Sequence, residues 1–220
     1  GTLIIPAFSV GRTQELLYLV SQLAAEGRIK KYPVYLDSPM ANSATDIYLK
    51  FSDELKKELL KDQFSSKLSS SEFHEVAFPE DSMRICLSTE PKIVISAAGM
   101  LTGGRVLHHL KSKLPDSKSA VMFVGYQAAG TKGLLLKNGL QEIRIHHEKI
   151  NVKAEIVSID SLSAHADCED LAKFVNDFKI KPSKVFLNHG ETNALQTLAY
   201  ALRVDCDVQA VEIVKEETEY

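Results

Sequence analysis

The sequence has few of the features that mark a secreted, membrane or disordered protein. Among its 220 residues are only three cysteines, without a CxxC pair, so we expect reduced thiols in a cytoplasmic protein and no disulfide framework. No apolar run approaches the roughly 18 residues of a membrane-spanning helix, and no signal-peptide pattern is seen. With 11 glycines, 7 prolines and 45% apolar residues, the composition excludes collagen-like and low-complexity chains.

The chain also has little net charge. Its 26 Lys and Arg residues nearly balance 29 Asp and Glu residues, for a net charge of -3. A protein that coats nucleic acid through bulk charge would be basic, so any nucleic-acid contact is expected at a local patch. There is no initiator methionine before Gly1, and residues 3–5 already have the pattern of a buried strand. We therefore expect a piece of a longer protein, with simple processing as the alternative.

Strand and helix patterns alternate through the first two-thirds of the chain. Short apolar strands are predicted at residues 3–5, 33–36, 92–96 and 120–124. Amphipathic helices lie between them, one of which is predicted over about residues 41–61, before a Ser-rich loop at 65–71. This alternation indicates a parallel sheet covered on both faces. Right-handed crossovers then bring all strand-to-helix loops to one edge, where such sheets bind ligands.

From about residue 140 the pattern changes. Residues 142–146 and 154–157 alternate apolar and polar side chains, as in half-buried strands of a different sheet. The elements predicted next are a helix near 168–178, a strand at 184–187, a helix at 193–203 and a strand near 208–213. We place a boundary near residue 138, which gives one domain of residues 1–138 and another of residues 139–220.

Two loops of the first domain combine glycine and arginine just before a helix. One contains Ser9, Gly11 and Arg12, and the other contains Gly103, Gly104 and Arg105. Backbone N–H groups at a helix start attract anions, and arginine is a bidentate partner for phosphate. The sequence therefore favours phosphate contacts at these loops, with capped helices and surface arginines as the alternative.

Two of the seven histidines stand where chemistry is common. His165 precedes a helix, and His189 ends an apolar strand next to Gly190, which permits an abrupt turn. A histidine in such a place is often a metal ligand or a catalytic base, although each alone is more often structural. The other histidines are predicted on a helix surface (His108, His109), in a strand or turn (His146, His147) and in a loop (His74).

Six stretches together resemble the β-CASP family of metallo-β-lactamase-fold nucleases, which process RNA. They are residues 5–15, 35–41, 96–105, 123–127, 163–167 and 187–191, in the family's order over nearly the whole chain. The resemblance implies an α/β fold. It consists of a Rossmann-like, parallel-sheet β-CASP domain at residues 1–138. Residues 139–220 are then the C-terminal part of a metallo-β-lactamase αββα fold with the RNA-specificity segment.

The resemblance also implies roles for individual residues. His165 matches the family's motif B histidine, the general acid toward the leaving oxygen. His189 matches the motif C histidine, a ligand to one of two zinc ions. The loops would hold the RNA backbone through Ser9, Arg12, Ser38, Gly99, Gly103, Gly104, Arg105, Gly125 and Tyr126.

Parts of the family's pattern are missing from this chain. The His-x-His-x-Asp-His zinc motif and the motif A acid are absent, and Leu162 and Asn188 are unusual at their positions. The parent protein is therefore expected to be a zinc-dependent ribonuclease, whereas this chain alone should neither hold zinc tightly nor cut RNA. The expected partners are single-stranded RNA (or DNA), the protein's N-terminal metallo-β-lactamase half and, through an unpaired strand edge, a second copy. No membrane partner is expected.

Two other classes of function stay open at this point. One is a non-catalytic nucleotide- or phosphate-binding module, which lacks support because no GxGxxG follows a strand and Thr131 and Lys132 reverse the P-loop order. The other is a structural subunit of an RNA-processing complex, which the presence of both His165 and His189 disfavours. Endonuclease and exonuclease activity are not distinguished by the sequence.

Overall fold

The computed structural model describes residues 1–55, 73–159, 161–163 and 165–214. Contacts divide the chain into two compact units, residues 1–163 and residues 164–220. Each unit has its own buried apolar core and is described by itself. Of the helices in these described ranges, none is long and apolar enough to cross a membrane.

A sheet of six parallel strands forms the centre of the first unit. Its strands are β1 (Thr2–Pro6), β2 (Val34–Leu36), β3 (Phe73–Glu75), β4 (Lys92–Ser96), β5 (Ala120–Phe123) and β8 (Glu155–Ser158). They lie in the order β3-β2-β4-β1-β5-β8, and every neighbouring pair is parallel. The predicted parallel α/β sheet is thereby confirmed.

Helices cover both faces of this sheet. They are α1 (Arg12–Ala25), α2 (Pro39–Lys50), α3 (Pro79–Leu87), α4 (Val106–Lys113) and α5 (Lys132–Lys137). Successive side chains of a strand point to opposite faces. On β1, Ile5 packs in the core that contains Leu16 of α1. Its neighbour Ile4 packs in the other core, with Leu110 of α4 and Leu136 of α5. Apolar residues at successive positions of β1 are therefore required.

The second helix is shorter than the sequence predicts. α2 ends at Lys50 and is followed by a 3-10 turn over Ser52–Glu54. The rest of the predicted helix, to about residue 61, and the predicted Ser-rich loop at 65–71 fall in residues 56–72, outside the described residues.

The chain leaves the centre of the sheet in two opposite directions. From β1 it passes through α1 to β2 on one side, and from β4 it passes through α4 to β5 on the other. The carboxyl ends of β1 and β4 therefore form a topological switch point. Open α/β sheets bind their ligands in the crevice at such a point.

The first unit also contains a hairpin of strands β6 (Glu142–Ile145) and β7 (Glu148–Asn151). Its inward-facing residues Ile143, Ile145 and Ile150 are buried in the core that contains Ile4. The prediction of a half-buried strand at residues 142–146 is confirmed, because only one face of the hairpin is covered.

The assignment of residues 154–157 to a different sheet is wrong. β8 pairs with β5, from Ala120 opposite Glu155 to Phe123 opposite Ser158, and so belongs to the main sheet. It is the last strand at one edge of that sheet, so its side chains are only partly covered, which produces the alternating pattern. The first unit thus extends to residue 163, and the domain boundary near residue 138 stays a prediction.

The second unit contains the remaining predicted elements. They are α6 (Cys168–Asn176), β9 (Lys184–Leu187), α7 (Thr192–Val204) and β10 (Ala210–Ile213). β9 and β10 pair in parallel. Leu187 and Val211 of these strands pack with Val175 of α6 and Leu202 of α7. The thiols of Cys86, Cys168 and Cys206 are free.

Candidate functional site

The loops that follow β1, β2, β4 and β5 meet at the carboxyl edge of the sheet. Ser9 and Ser38, from the loops after β1 and β2, lie 3.2 Å apart through their Oγ atoms. Nε2 of Gln127, after β5, donates to the carbonyl oxygen of Gly99, after β4, at 3.1 Å. The edge where sequence reasoning places the substrate-binding loops is therefore one continuous surface of the first unit.

The predicted site glycines differ in how closely the neighbouring backbone approaches them. A Cβ on Gly99 would lie 3.4 Å from backbone atoms of the loop after β1. Gly104 has φ +81°, and a Cβ there would lie 2.6 Å from the carbonyl oxygen of Ala97. Gly103 and Gly125, in contrast, have open space where a Cβ would stand. Their backbone is therefore accessible to a ligand.

The guanidinium of Arg12 is engaged within the first unit. It forms an ion pair with Glu15, one turn further along α1, and donates to the carbonyl oxygen of Leu162. Gln14 accepts from the backbone N–H of Gly11 at 2.7 Å and so caps the start of the same helix. Arg12 therefore connects the loop after β1 to the segment that leads out of the first unit.

A buried carboxylate lies beneath this edge. Asp37 is fully buried. Its Oδ2 accepts from Ser82 Oγ at 2.5 Å and from His109 Nε2 at 2.6 Å, and its Oδ1 accepts from Arg105 Nη1 at 2.8 Å. Burial raises the pKa of Asp37, but the hydrogen bonds from His109, Ser82 and Arg105 outweigh it and hold the pKa below its ordinary value. Asp37 is therefore an ionised, fully partnered group.

Arg105 holds two loops together. Besides its bond to Asp37, its guanidinium donates to the carbonyl oxygens of Val76 at 3.0 Å and Ala77 at 2.9 Å. These bonds tie the start of α4 to the chain that follows β3. Its role as a phosphate contact stays a prediction, and its hydrogen bonds are already directed inward.

The prediction that His109 lies on a helix surface is wrong. His109 is buried, with 1% of its surface exposed, whereas its neighbour His108 is exposed as predicted. The buried ring lies between two partners, because Nε2 donates to Asp37 while Nδ1 lies 3.2 Å from the Sγ atom of Cys86. No periodicity in the sequence reveals this network, since its members come from separate elements.

The network connects Cys86, His109 and Asp37 in the order of a catalytic cysteine–histidine–aspartate triad. Its cysteine, however, does not meet the requirement for a nucleophile. A catalytic cysteine needs an accessible thiolate. Cys86 is buried, and burial, together with the nearby charge of Asp37, raises the pKa of its thiol to about 11. The thiol therefore stays protonated at neutral pH, and the network is structural.

Exposed apolar side chains flank the carboxyl edge. Phe8, Val10, Met40 and Tyr126 are each more than half exposed. Tyr126 was among the predicted site residues, whereas Phe8, Val10 and Met40 were missed, although all three lie in the motif stretches. Aromatic faces in such positions can stack on unpaired bases.

Both predicted catalytic and metal-binding histidines lie in exposed loops of the second unit. His165 precedes α6, whose N-cap Asp167 accepts from the backbone N–H of Asp170 at 2.9 Å. His189 follows β9 with φ +61°, and its backbone N–H donates to Asn188 Oδ1 at 2.8 Å. A side chain rarely adopts this left-handed conformation, which is concentrated at functional positions.

The described residues do not form a zinc site by themselves. No group of three potential metal ligands occurs among them. A catalytic zinc ion ordinarily takes three protein ligands, and the role of His189 as one of them stays a prediction.

The remaining histidines divide between right and wrong predictions. His146 and His147 form the turn between β6 and β7, as predicted. The loop assigned to His74 is wrong, because this residue lies in β3, where its ring stacks on Tyr35 with the centroids 5.1 Å apart.

Two family models match the chain. Residues 13–136 match the Beta-Casp domain, which includes strands β2, β3, β4 and β5 of the central sheet. Residues 149–212 match the Zn-dependent metallo-hydrolase RNA specificity domain, which includes His165 and His189.

Several relatives align over nearly all of the chain. The transcription termination factor FttA of Pyrococcus horikoshii is 35% identical over 211 residues, which are 92% of this chain and 32% of that protein. The RNase J-like protein of Methanocaldococcus jannaschii is 32% identical, over 93% of this chain and 46% of its own length. The ribonuclease TTHA0252 of Thermus thermophilus is 33% identical, over 92% and 46%.

The chain thus spans between 32% and 46% of the length of these relatives. The Beta-Casp match begins within α1 and ends within α5, so that it covers the loops after β2, β4 and β5 at the carboxyl edge. The doubly wound sheet, the glycines that let its loops pack and the extent of this match agree, and the chain therefore belongs to the Beta-Casp family.

Proposed function

We propose that this chain is the RNA-holding part of a zinc-dependent ribonuclease that hydrolyses phosphodiester bonds. The observation that carries the proposal is the pair of exposed imidazoles, His165 and His189, within the stretch that matches an RNA specificity domain. Each lies three residues before the first residue of a helix, α6 or α7.

His165 is proposed as the proton donor to the leaving oxygen. An imidazole titrates near neutral pH, so it can hold a proton and release it under the conditions of the reaction. The ring is exposed and stands just ahead of the Asp167 capping box, which fixes the start of α6. The loop is therefore accessible to substrate on one side and anchored on the other.

His189 is proposed as one ligand of a zinc site that another segment of the protein completes. The relatives are two to three times longer than this chain, which leaves room for further ligands. An N-terminal metallo-β-lactamase half is the proposed source. Two zinc ions would need more protein ligands than one imidazole supplies.

The second unit gives independent support for a missing partner. β9 and β10 form a two-stranded parallel sheet, and a sheet of only two strands is marginal on its own. We propose that strands of the N-terminal half extend this sheet. A second copy of the chain is the alternative, and it would produce a dimer.

RNA is proposed to cross the carboxyl edge of the first unit. The hydroxyl group of Ser9, which lies 3.2 Å from the buried Ser38 Oγ, and the open backbone at Gly103 and Gly125 can donate to phosphate oxygens. Tyr126 can stack on a base. The remaining proposed contacts (Arg12, Gly99, Gly104 and Arg105) shape the loops at this edge.

The test is a cleavage assay on the complete gene product. We expect it to cut a labelled single-stranded RNA and to lose this activity in a chelator, with recovery when zinc is restored. The 220-residue chain, assayed in parallel, should bind RNA without cutting it. Cleavage that persists in the chelator, or no cleavage after zinc is restored, would contradict the proposal.

A further inference from the structure

A concave surface of about 520 Å³ lies between α5 and the β6–β7 hairpin, and the end of the loop after β5 lines one side of it. Its lining includes four groups that carry or can carry positive charge and two leucines that form its apolar wall. These residues are Lys132, Arg144, His146, His147, Leu135 and Leu140. The lining contains no acidic side chain. In a chain with a net charge of -3, this is a local reversal of sign.

The cations of the concavity differ from their neighbours in having no acidic partner. Lys111 is paired with Glu148 at 2.6 Å, and Lys149 is paired with Glu142 at 3.0 Å. Within the described part of the chain, neither Lys132 nor Arg144 has such a partner. Their charges are therefore available to a ligand.

The hairpin turn presents two imidazoles at the rim of the concavity. His146 has φ +47° and His147 has φ +66°. A two-residue turn of this type strongly favours Asn and Gly, because both central residues need a positive φ. The ring of His146 packs on His108 of α4, with the centroids 4.7 Å apart. The two central positions of the turn thus carry side chains that positive φ values disfavour. This points to a role for the two imidazole rings.

We propose that this concavity binds the phosphodiester backbone of RNA as a second site, next to the carboxyl edge. The proposal rests on the proposed function, since it assigns another stretch of the same substrate. α4 and α5 both begin in loops that leave the carboxyl edge. A strand lying on that edge can therefore continue past Lys132 toward the hairpin turn.

The size and lining of the concavity fit a nucleotide chain better than a single anion. A single phosphate group would occupy a small part of 520 Å³, whereas a nucleotide can place its phosphate near Arg144 and its sugar against Leu135 and Leu140. Lys132 and Arg144, which have no ion-pair partner among the described residues, suit a polyanion with regularly spaced charges. Contacts of this kind carry no sequence information, so the site would add affinity and length dependence to RNA binding.

The test measures the affinity of the complete gene product for a fluorescent single-stranded RNA at several salt concentrations. Lys132→Gln, Arg144→Gln and the double variant are compared with Lys118→Gln, which removes a charge before β5, at the opposite edge of the sheet. We expect several-fold weaker binding for each single variant and at least about tenfold for the double variant. The log–log salt slope should fall by about 0.7 for each lost phosphate contact. Arg144→Lys keeps the positive charge and should retain most of the wild-type affinity.

The outcomes separate this proposal from the function beneath it. Unchanged affinity and slope in the double variant, in a protein that still binds and cuts RNA, would overturn the second site alone. A wild-type protein without affinity for RNA would overturn both. Equal weakening of polyglutamate binding would show a general polyanion surface and overturn the assignment to RNA. Circular dichroism on each variant confirms that it is folded, and weakened binding in a folded variant supports the site.

Discussion

At the scale of single residues, one carboxylate determines how the substrate-side loops are held. Asp37 is buried and ionised, and its partners Ser82, Arg105 and His109 come from α3, from the residue before α4 and from α4 itself. A buried charge is tolerated only when it is paired and hydrogen-bonded. The three partners of Asp37 therefore hold the loop after β2, which contains Ser38, in place.

Replacing His109 by leucine is expected to destabilise the fold by about 3–5 kcal/mol, because it removes a partner from a buried charge. The free energy of unfolding in urea measures this change. His108→Leu is the matched control, since the adjacent ring is exposed, and it should change stability by less than about 0.5 kcal/mol. Equal losses for the two variants would show that the contact with Asp37 is of little energetic importance.

Replacing His165 by alanine in the complete gene product is expected to slow RNA cleavage by about 10²–10⁴-fold, the usual cost of losing a general acid. Zinc content should stay unchanged, because the proposed role is proton transfer and not metal binding. Metal analysis beside the cleavage assay tests both parts. His74→Ala, which removes an exposed histidine of β3, should leave the rate unaffected. Loss of zinc in the His165 variant would assign this residue to the metal instead.

At the scale of elements, the positions of the helices and loops depend on a few points of close approach. Gly104 is the clearest of these points, because both its φ of +81° and the adjacent carbonyl of Ala97 exclude a side chain. Glycine at this position lets the loop between β4 and α4 pass close to the carbonyl of Ala97. The guanidinium of Arg105 then lies 2.8 Å from the Asp37 carboxylate. A local backbone requirement thereby supports the buried network.

Gly104→Ala is expected to lower the free energy of unfolding by at least about 1–2 kcal/mol, the cost of a left-handed conformation alone, with a steric term from the carbonyl of Ala97. Gly103→Ala is a strict control one residue away, because a Cβ there meets open space. Its effect should stay within about 0.5 kcal/mol. Similar losses at both positions would indicate that the loop does not have the geometry described.

Continuous apolar strands made the parallel sheet predictable, whereas the network and the edge strand were not. Buried strands such as β4 need a continuous apolar run, here at residues 93–95. β8 was misassigned because a half-covered edge strand has the same alternating pattern as a strand of a separate sheet. Asp37 and His109 are 72 positions apart, and no local pattern connects them. The site loops were recognisable because their glycines and histidines recur in a family order.

At the scale of the whole molecule, the buried carboxylate couples folding to pH. The pKa of Asp37 in the folded chain lies below its ordinary value of 3.8. Its contribution to stability is therefore complete above the ordinary value, and it is lost as the pH falls through the lowered value. The first unit should lose stability in acid partly for this reason.

Asp37→Asn is expected to destabilise the chain by a larger amount at neutral pH than at pH about 3, where the wild-type contribution is already being lost. Urea unfolding at both pH values tests this difference. Asp53→Asn removes an exposed carboxylate from the 3-10 turn and should show no such dependence. A constant difference between wild type and Asp37→Asn would contradict an ionised Asp37.

The place of β1 in the sheet has a consequence for protein synthesis. β1 is flanked by β4 and β5, so Ile4 pairs with Val94 and Val121. At roughly 5–20 residues per second, a ribosome needs about 5–18 seconds to make the 90 residues that separate Ile4 from Val94. During that interval the segment that becomes a central strand of the sheet is without its partners. The nascent chain therefore carries an exposed apolar segment until β4 emerges, and this segment is a natural binding site for a chaperone.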